Sequence, residues 1–135
     1  MGEYIETAYN HALTALLWSE LICLPCDESE VSEHSHADME GRPFDDFFYE
    51  HDIDGETDTL REQINAFVTD NWDDLDGHVS AEQCGHDFIL SRNGHGAGFW
   101  DRGLGERGTR LSESAKPFGE CSLYLTDYDR VAVAA

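Results

Sequence analysis

Negative charge in this chain is crowded toward one end of the sequence. Of its 29 Asp and Glu residues, 22 lie within residues 1–85, accompanied by only two basic residues, Arg42 and Arg61. Residues 86–135 carry seven acids and six bases, so that portion is near neutral while the whole chain has a formal net charge of −21. Like charges at this density repel one another and destabilise any compact state. Such a chain lives in high salt, is partly disordered, or offers an acidic surface to a basic partner. Full disorder is excluded by a hydrophobic content of 40% with 11% aromatic residues. One lysine, Lys116, among 37 charged residues fits salt adaptation. The many large apolar residues and the one-sided charge speak against it.

A length of 135 residues fits one domain, 1–135, with a modest core. No apolar run reaches the ~18 residues of a membrane span. The start, Met1-Gly2-Glu3-Tyr4-Ile5-Glu6, lacks the basic n-region of a secretory signal. A soluble intracellular protein is therefore expected, with Cys84 and Cys121 as buried small hydrophobes. The charge disfavours nucleic-acid backbones and anionic membranes, where affinity comes from Lys and Arg. Basic protein surfaces remain as partners, above all those that normally hold nucleic acid.

Local pattern predicts a helix over 3–22, with Ile5, Ala8, Ala12, Leu16 and the Leu13/Leu17 pair on one face, Trp18 and Leu21 widening it, and Pro25 ending it. Residues 27–40 read as an acidic loop. The aromatics of Pro43-Phe44-Asp45-Asp46-Phe47-Phe48-Tyr49 would anchor the next stretch to the core and turn its acids outward. A second helix is expected over 59–75, opened by a Thr59/Glu62 capping box, with Asp70, Asp73, Asp74 and Asp76 crowding its C-terminal end against the helix dipole. Ser80 and Gln83 would cap one short turn. Residues 87–92 and 95–100, joined by Asn93-Gly94, carry the signal of a β-hairpin. Its outer face would bear Gly96 and Gly98 and leave a groove. A short helix over 109–117, a strand over 121–126, a turn at 127–129 and a strand at 131–133 complete the chain. The fold class expected is α+β, two or three helices packed on a small, mainly antiparallel sheet of three to four strands. Residues 1–85 would be helical and acidic, 86–135 hairpin-rich.

Cys23, Cys26, His34 and His36 are four zinc-type ligands within 14 residues. Seven residues separate Cys26 from His34 and the histidines are two apart, unlike a zinc finger. A helix end followed by a polar loop is the preferred reading, and neither metal nor other cofactor is expected. Asp52-Ile53-Asp54-Gly55-Glu56 lacks the remaining ligands of a calcium loop. His86, Asp87, His95, Asp101 and Arg102 flank the expected hairpin, where structural use is favoured over acid–base catalysis. Arg92, Arg102, Arg107 and Arg110 are expected to pair with the acidic half.

The run Gly85-His-Asp-Phe-Ile-Leu-Ser-Arg-Asn-Gly-His-Gly-Ala-Gly-Phe-Trp-Asp-Arg-Gly103 resembles a signature of small acidic proteins of bacteriophages, prophages and other mobile elements, most of them uncharacterised. Tyr4-Ile5-Glu6-Thr7-Ala8, Gly41-Arg-Pro-Phe-Asp-Asp-Phe-Phe48 and Gly119-Glu-Cys-Ser-Leu-Tyr124 extend the likeness over about two-thirds of the chain. The Cys23–His36 region falls outside it. The resemblance implies a mobile-element origin and a place in the host cytoplasm, and it carries no known activity.

The reading these observations favour is a non-enzymatic inhibitor of a host defence system, of anti-CRISPR or anti-restriction type. It would occupy a basic nucleic-acid-binding surface, with carboxylates standing in for phosphates. Asp45, Asp46, Glu50, Asp52, Asp54, Asp70, Asp73, Asp74 and Asp76 are the expected contacts. The alternatives are a phage structural or regulatory protein whose acidity serves solubility, and a small ligand binder or enzyme built on the hairpin's glycine face, with His95, Trp100 and Asp101 at its rim.

Overall fold

The computed structural model describes residues 1–20, 41–54, 57–94, 97–127 and 130–135. The expected 27–40 loop, Cys23, Cys26, His34, His36, the Gly55-Glu56 pair, His95, Gly96 and the tip of the 127–129 turn lie outside the described residues, as does the side chain of Asp54.

Helix α1 (Gly2–Ser19) buries Ala8, Ala12, Leu13, Leu16 and Leu17, the stripe its periodicity predicts. Trp18, expected to widen that stripe, is instead 42% exposed. It shares a helix face with His11 and Thr14, away from the core. Two 3₁₀ turns follow, Phe44–Asp46 and Glu50–Asp52, and lead into the two-residue strand β1 (Ile53–Asp54). The amide of Phe44 donates to the carbonyl of Glu20 at 3.2 Å, which ties the first turn to the C-terminal end of α1. Phe44 and Phe48 are buried, whereas Phe47 and Tyr49 are exposed. Two of the four rings thus act as anchors.

Helix α2 (Thr57–Asp70) begins two residues before Thr59, so the Thr59/Glu62 capping box does not form. Leu60, Ile64, Phe67 and Val68 face the core. Asn71 then breaks the helix: its side-chain Nδ2 donates to the Phe67 carbonyl and to Ser114 Oγ, both at 2.8 Å. A new four-residue helix, α3 (Trp72–Leu75), starts there. Asp70 therefore ends α2 and Asp76 follows α3 as its C-cap, both at helix C-termini as expected, whereas Asp73 and Asp74 lie within the single turn of α3.

The largest departure from expectation is α4 (Ala81–Asn93), an α-helix where the sequence signals a hairpin. Ser80 caps it, its Oγ accepting from the Gln83 amide at 3.1 Å. Gly94 ends it in the left-handed conformation at φ 66°. A type I′ hairpin turn needs positive φ at both Asn and Gly, and Asn93 is the last helical residue. Eight of the 13 helical residues are buried, including Asp87, Ser91 and Arg92, so α4 shows no exposed polar face to set a 3.6-residue rhythm.

A 3₁₀ turn, Phe99–Asp101, leads to α5 (Glu106–Ala115), which starts earlier than the expected 109. It tightens into a 3₁₀ turn over Lys116–Phe118, where Pro117 removes a backbone donor. Strands β2 (Ser122–Asp127) and β3 (Arg130–Ala134) pair antiparallel, with Leu123 opposite Val133 and Leu125 opposite Val131. β1 joins β3 in parallel, Ile53 opposite Val131, giving the order β1-β3-β2. The α+β class holds. The described residues form five α-helices rather than two or three, and their sheet is an antiparallel pair with one minimal parallel edge.

The core is centred on Phe67, whose ring lies 4.7 Å from that of Phe88 and 5.5 Å from that of Phe99. Each such fully buried ring contributes roughly 1.5–3 kcal/mol by burial alone. α1 and α4 share the most extensive helix–helix contact. They approach closely because Ala8 and Ala12 meet Gly85: a Cβ on Gly85 would overlap the Ala8 carbonyl oxygen and stand 2.9 Å from the Ala12 amide nitrogen. Gly85→Ala must push two backbones apart and is expected to cost about 2 kcal/mol or more. A lowered urea midpoint measures this; an unchanged midpoint would show that the helices are not in backbone contact.

Candidate functional site

Asp87, Asp101 and Arg102, three of the residues that suggested acid–base chemistry, are held by contacts within the fold. Asp87 is fully buried and held by Arg102, whose Nη2 donates to Oδ1 at 2.9 Å and whose Nε lies 3.2 Å from both carboxylate oxygens. Asp101 Oδ1 accepts from the Gly98 amide at 3.1 Å, and Ser91 Oγ accepts from the Phe99 amide at 3.3 Å. Asn93 exchanges two bonds of 2.7 Å with the backbone of Cys121, extending the strand's pairing onto the helix end. The hairpin groove does not form, because Gly98 packs against Ser91 and residues 87–93 are helical. Cys84 and Cys121 are free, buried thiols, pushed by burial up to about 12 and about 11, respectively. Both are therefore poor nucleophiles.

Arg92 is buried as well. It donates to the Gly119 carbonyl at 2.7 Å, Gln63 Oε1 at 2.8 Å and the Phe118 carbonyl at 3.2 Å, and its guanidinium lies 5.1 Å from the Phe88 ring centre. Burial lowers its pKa below the usual arginine value. The expected pairing of arginines with the acidic half holds for Arg107 and Arg110, both on Asp74. Arg92 reaches that half through neutral Gln63, and Arg102 pairs within its own half.

The expected acidic contacts fall into two groups at opposite ends of α1. Asp70, Asp73, Asp74 and Asp76 lie by its N-terminal end, where the Tyr4 ring meets Trp72 edge-on at 5.1 Å and the Tyr4 hydroxyl donates to the Val79 carbonyl at 2.8 Å. Asp45, Asp46, Glu50 and Asp52 lie toward the C-terminal end, where Phe44 bonds Glu20 and Thr14 bonds Glu50. Sixteen residues of helix separate Tyr4 from Glu20, about 24 Å. Not every member is equally available. Asp74 is held by Arg110 at 2.6 and 2.9 Å, and that hydrogen bond keeps its carboxyl below the usual range. Asp46 pairs with Arg42, and Asp52 accepts from the Tyr49 amide. Asp45, Asp70, Asp73 and Asp76 are exposed and make no side-chain hydrogen bond or ion pair among the described residues.

Comparison with protein-family models, curated proteins and solved structures finds no match. Among the described residues no three His, Cys, Asp or Glu side chains converge as metal ligands, and no helix is long and apolar enough to cross a membrane.

One cluster escaped sequence reasoning, because its members are 68 and 75 positions apart. Trp18 Nε1 donates to His86 Nδ1 at 3.4 Å, and His86 Nε2 lies 3.3 Å from His11 Nδ1. The indole N–H only donates, so His86 Nδ1 is a lone-pair acceptor, His86 Nε2 carries the proton, and His11 Nδ1 accepts it. His86 is neutral in this chain of bonds. Burial, then the neighbouring His11, lowers the pKa of His86 below its usual 6.5.

Two outcomes follow. Arg102→Ala leaves a buried carboxylate unpaired and is expected to cost about 3–5 kcal/mol. Asp87→Asn leaves no buried charge and is expected to cost less; urea melts that reverse this order would sever the dependence of Asp87 on Arg102. For His86, the unfolded state binds the proton more tightly than the folded one. Its contribution is therefore complete above about pH 6.5 and is lost as pH falls from there through the folded pKa. An NMR titration of the His86 ring should place its midpoint below 6.5, and a midpoint above 6.5 would exclude the neutral network.

Proposed function

We propose that this chain is a non-catalytic inhibitor of a host defence system, of anti-CRISPR or anti-restriction type, encoded by a phage or other mobile element. It acts in the host cytoplasm by occupying a basic nucleic-acid-binding surface. The observation that carries this reading is the use made of the cations. Arg42, Arg61, Arg92, Arg102, Arg107 and Arg110 are each spent on a contact inside the molecule. Asp45, Asp70, Asp73 and Asp76 are left facing solvent without a counter-charge among the described residues.

Tyr4 and Glu20, the residues of α1 against which the two groups of carboxylates are anchored, lie about 24 Å apart along the helix. At 3.4 Å per base pair this is about seven base pairs of duplex, a span over which a basic channel reads backbone charge. Rigid presentation matters, because a carboxylate on a loose tail surrenders ordering entropy on binding that one on a packed helix does not. The summed field also accelerates encounter with a basic surface and weakens as salt shortens the Debye length.

The test uses the tagged chain on host lysate, eluted by a salt gradient and competed with DNA or RNA. Retention of a basic nucleic-acid-handling complex that salt and nucleic acid both displace is the expected result. The triple variant Asp70→Asn/Asp73→Asn/Asp76→Asn should bind that complex about tenfold more weakly, at roughly 0.5 kcal/mol per lost contact. Its melting temperature should stay level or rise as self-repulsion falls. Full affinity in the triple variant would remove this patch from the interface, and acidity serving solubility alone would then account for it.

A further inference from the structure

The fold twice builds one small unit: an aromatic ring and a carboxylate that hold an arginine between them. Arg61 lies 4.0 Å from the Tyr9 ring centre and pairs with Glu6. Arg42 lies 4.9 Å from the Phe47 ring centre and pairs with Asp46 at 2.9 Å. A third set of the same parts sits near the C-terminal end of α1 with no arginine in it among the described residues.

This set is organised around Thr14, which donates to Glu50 Oε1 at 2.6 Å. The bond holds Glu50 well ionised, its pKa lowered first by the Thr14 hydroxyl. Apart from that bond and one from its own backbone amide, the Glu50 carboxylate has no hydrogen-bond partner among the described residues. Tyr49, next in the chain, is 65% exposed and stacked on His51 at 5.5 Å and 12°. Trp18, one helical turn beyond Thr14 on the same face, is 42% exposed, and its N–H is tied to His86. Both rings are thus held in place with solvent-facing surface, the pre-organised state of an interface anchor.

We propose that this face binds arginine side chains of a basic partner protein, guanidinium planes stacking on Trp18 and Tyr49 while Glu50 Oε2 accepts their N–H groups. The inference rests on the acidic-inhibitor reading and assigns specific recognition to this end of α1, leaving the Asp70–Asp76 end as long-range charge. Arginine suits the site better than lysine because its planar, weakly hydrated head stacks on rings and pairs with a carboxylate at once. Nucleic acid and a second copy of the chain are both repelled by a net charge of −21.

The test is fluorescence anisotropy with labelled octa-arginine and octa-lysine peptides at low salt. The wild-type chain is expected to bind octa-arginine at least about fivefold more tightly than octa-lysine. Trp18→Ala/Tyr49→Ala should abolish that preference while holding octa-lysine binding within about twofold. Tyr49→Ala alone, at a site too exposed to unfold the chain, should reduce the preference, and Trp18→Phe/Tyr49→Phe should retain it. Asp70→Asn/Asp73→Asn/Asp76→Asn should weaken both peptides alike and leave the ratio intact. Equal binding of the two peptides by the wild type, or an undiminished preference in the ring variants, would overturn the arginine face and leave the acidic reading standing. Binding of neither peptide would overturn both.

Discussion

Helices α1 and α4 lie in backbone contact because Gly85 presents no Cβ to Ala8 and Ala12, whose own side chains are fully buried. That approach fixes the position of everything α4 carries. It sets Phe88 against Phe67, points Asp87 inward to Arg102, and brings His86 beside Trp18 and His11. A larger side chain at this one crossing would separate the helices and loosen the core and the surface cluster together, since interiors at this density do not deform locally.

The second constraint is electrostatic. In a chain with this excess of carboxylates, several of the few cations bridge elements distant in sequence. Arg92 joins α4 to Gln63 of α2 and to the Phe118–Gly119 backbone; Arg110 and Arg107 hold Asp74 across 36 and 33 positions of sequence. The bridges on the surface are individually weak. Their collective effect is to neutralise particular carboxylates, Glu6, Asp46, Asp74 and Asp87, and leave others without a counter-charge among the described residues.

How much of this was legible depends on the element. β3 is a short run buried on both faces, while α1, α2 and β2 follow patterns set by a single buried face, which periodicity detects. α4 does not, since its polar residues are inside. Phe88, Ile89 and Leu90 form a short apolar run between polar Asp87 and Ser91-Arg92 that reads as a buried strand, and Asn93-Gly94 serves equally as a hairpin turn and as a helix C-cap. Once the helix is seen, the signature around Gly85–Gly103 reads as a packing and pairing code, with Gly85, Asp87, Ser91, Asn93 and Arg102 each accounted for by a contact. The acidic positions could be named from sequence. That Asp74 is bound internally while Asp73 and Asp76 are not depends on where α5 lies, and no local signal carries that.

The sequence by itself determined the α+β class, the faces of the amphipathic elements and the acidic character of the surface, because these follow from composition and from neighbours within a few residues. Only the tertiary structure decided that residues 81–93 are helical, which carboxylates remain free, and that Trp18 stands out beside His86. The physical reason is the same for all three. Where a segment is buried on most sides, the contacts that choose its conformation and neutralise its charges come from residues as many as 75 positions away, and local preference is too small to oppose them.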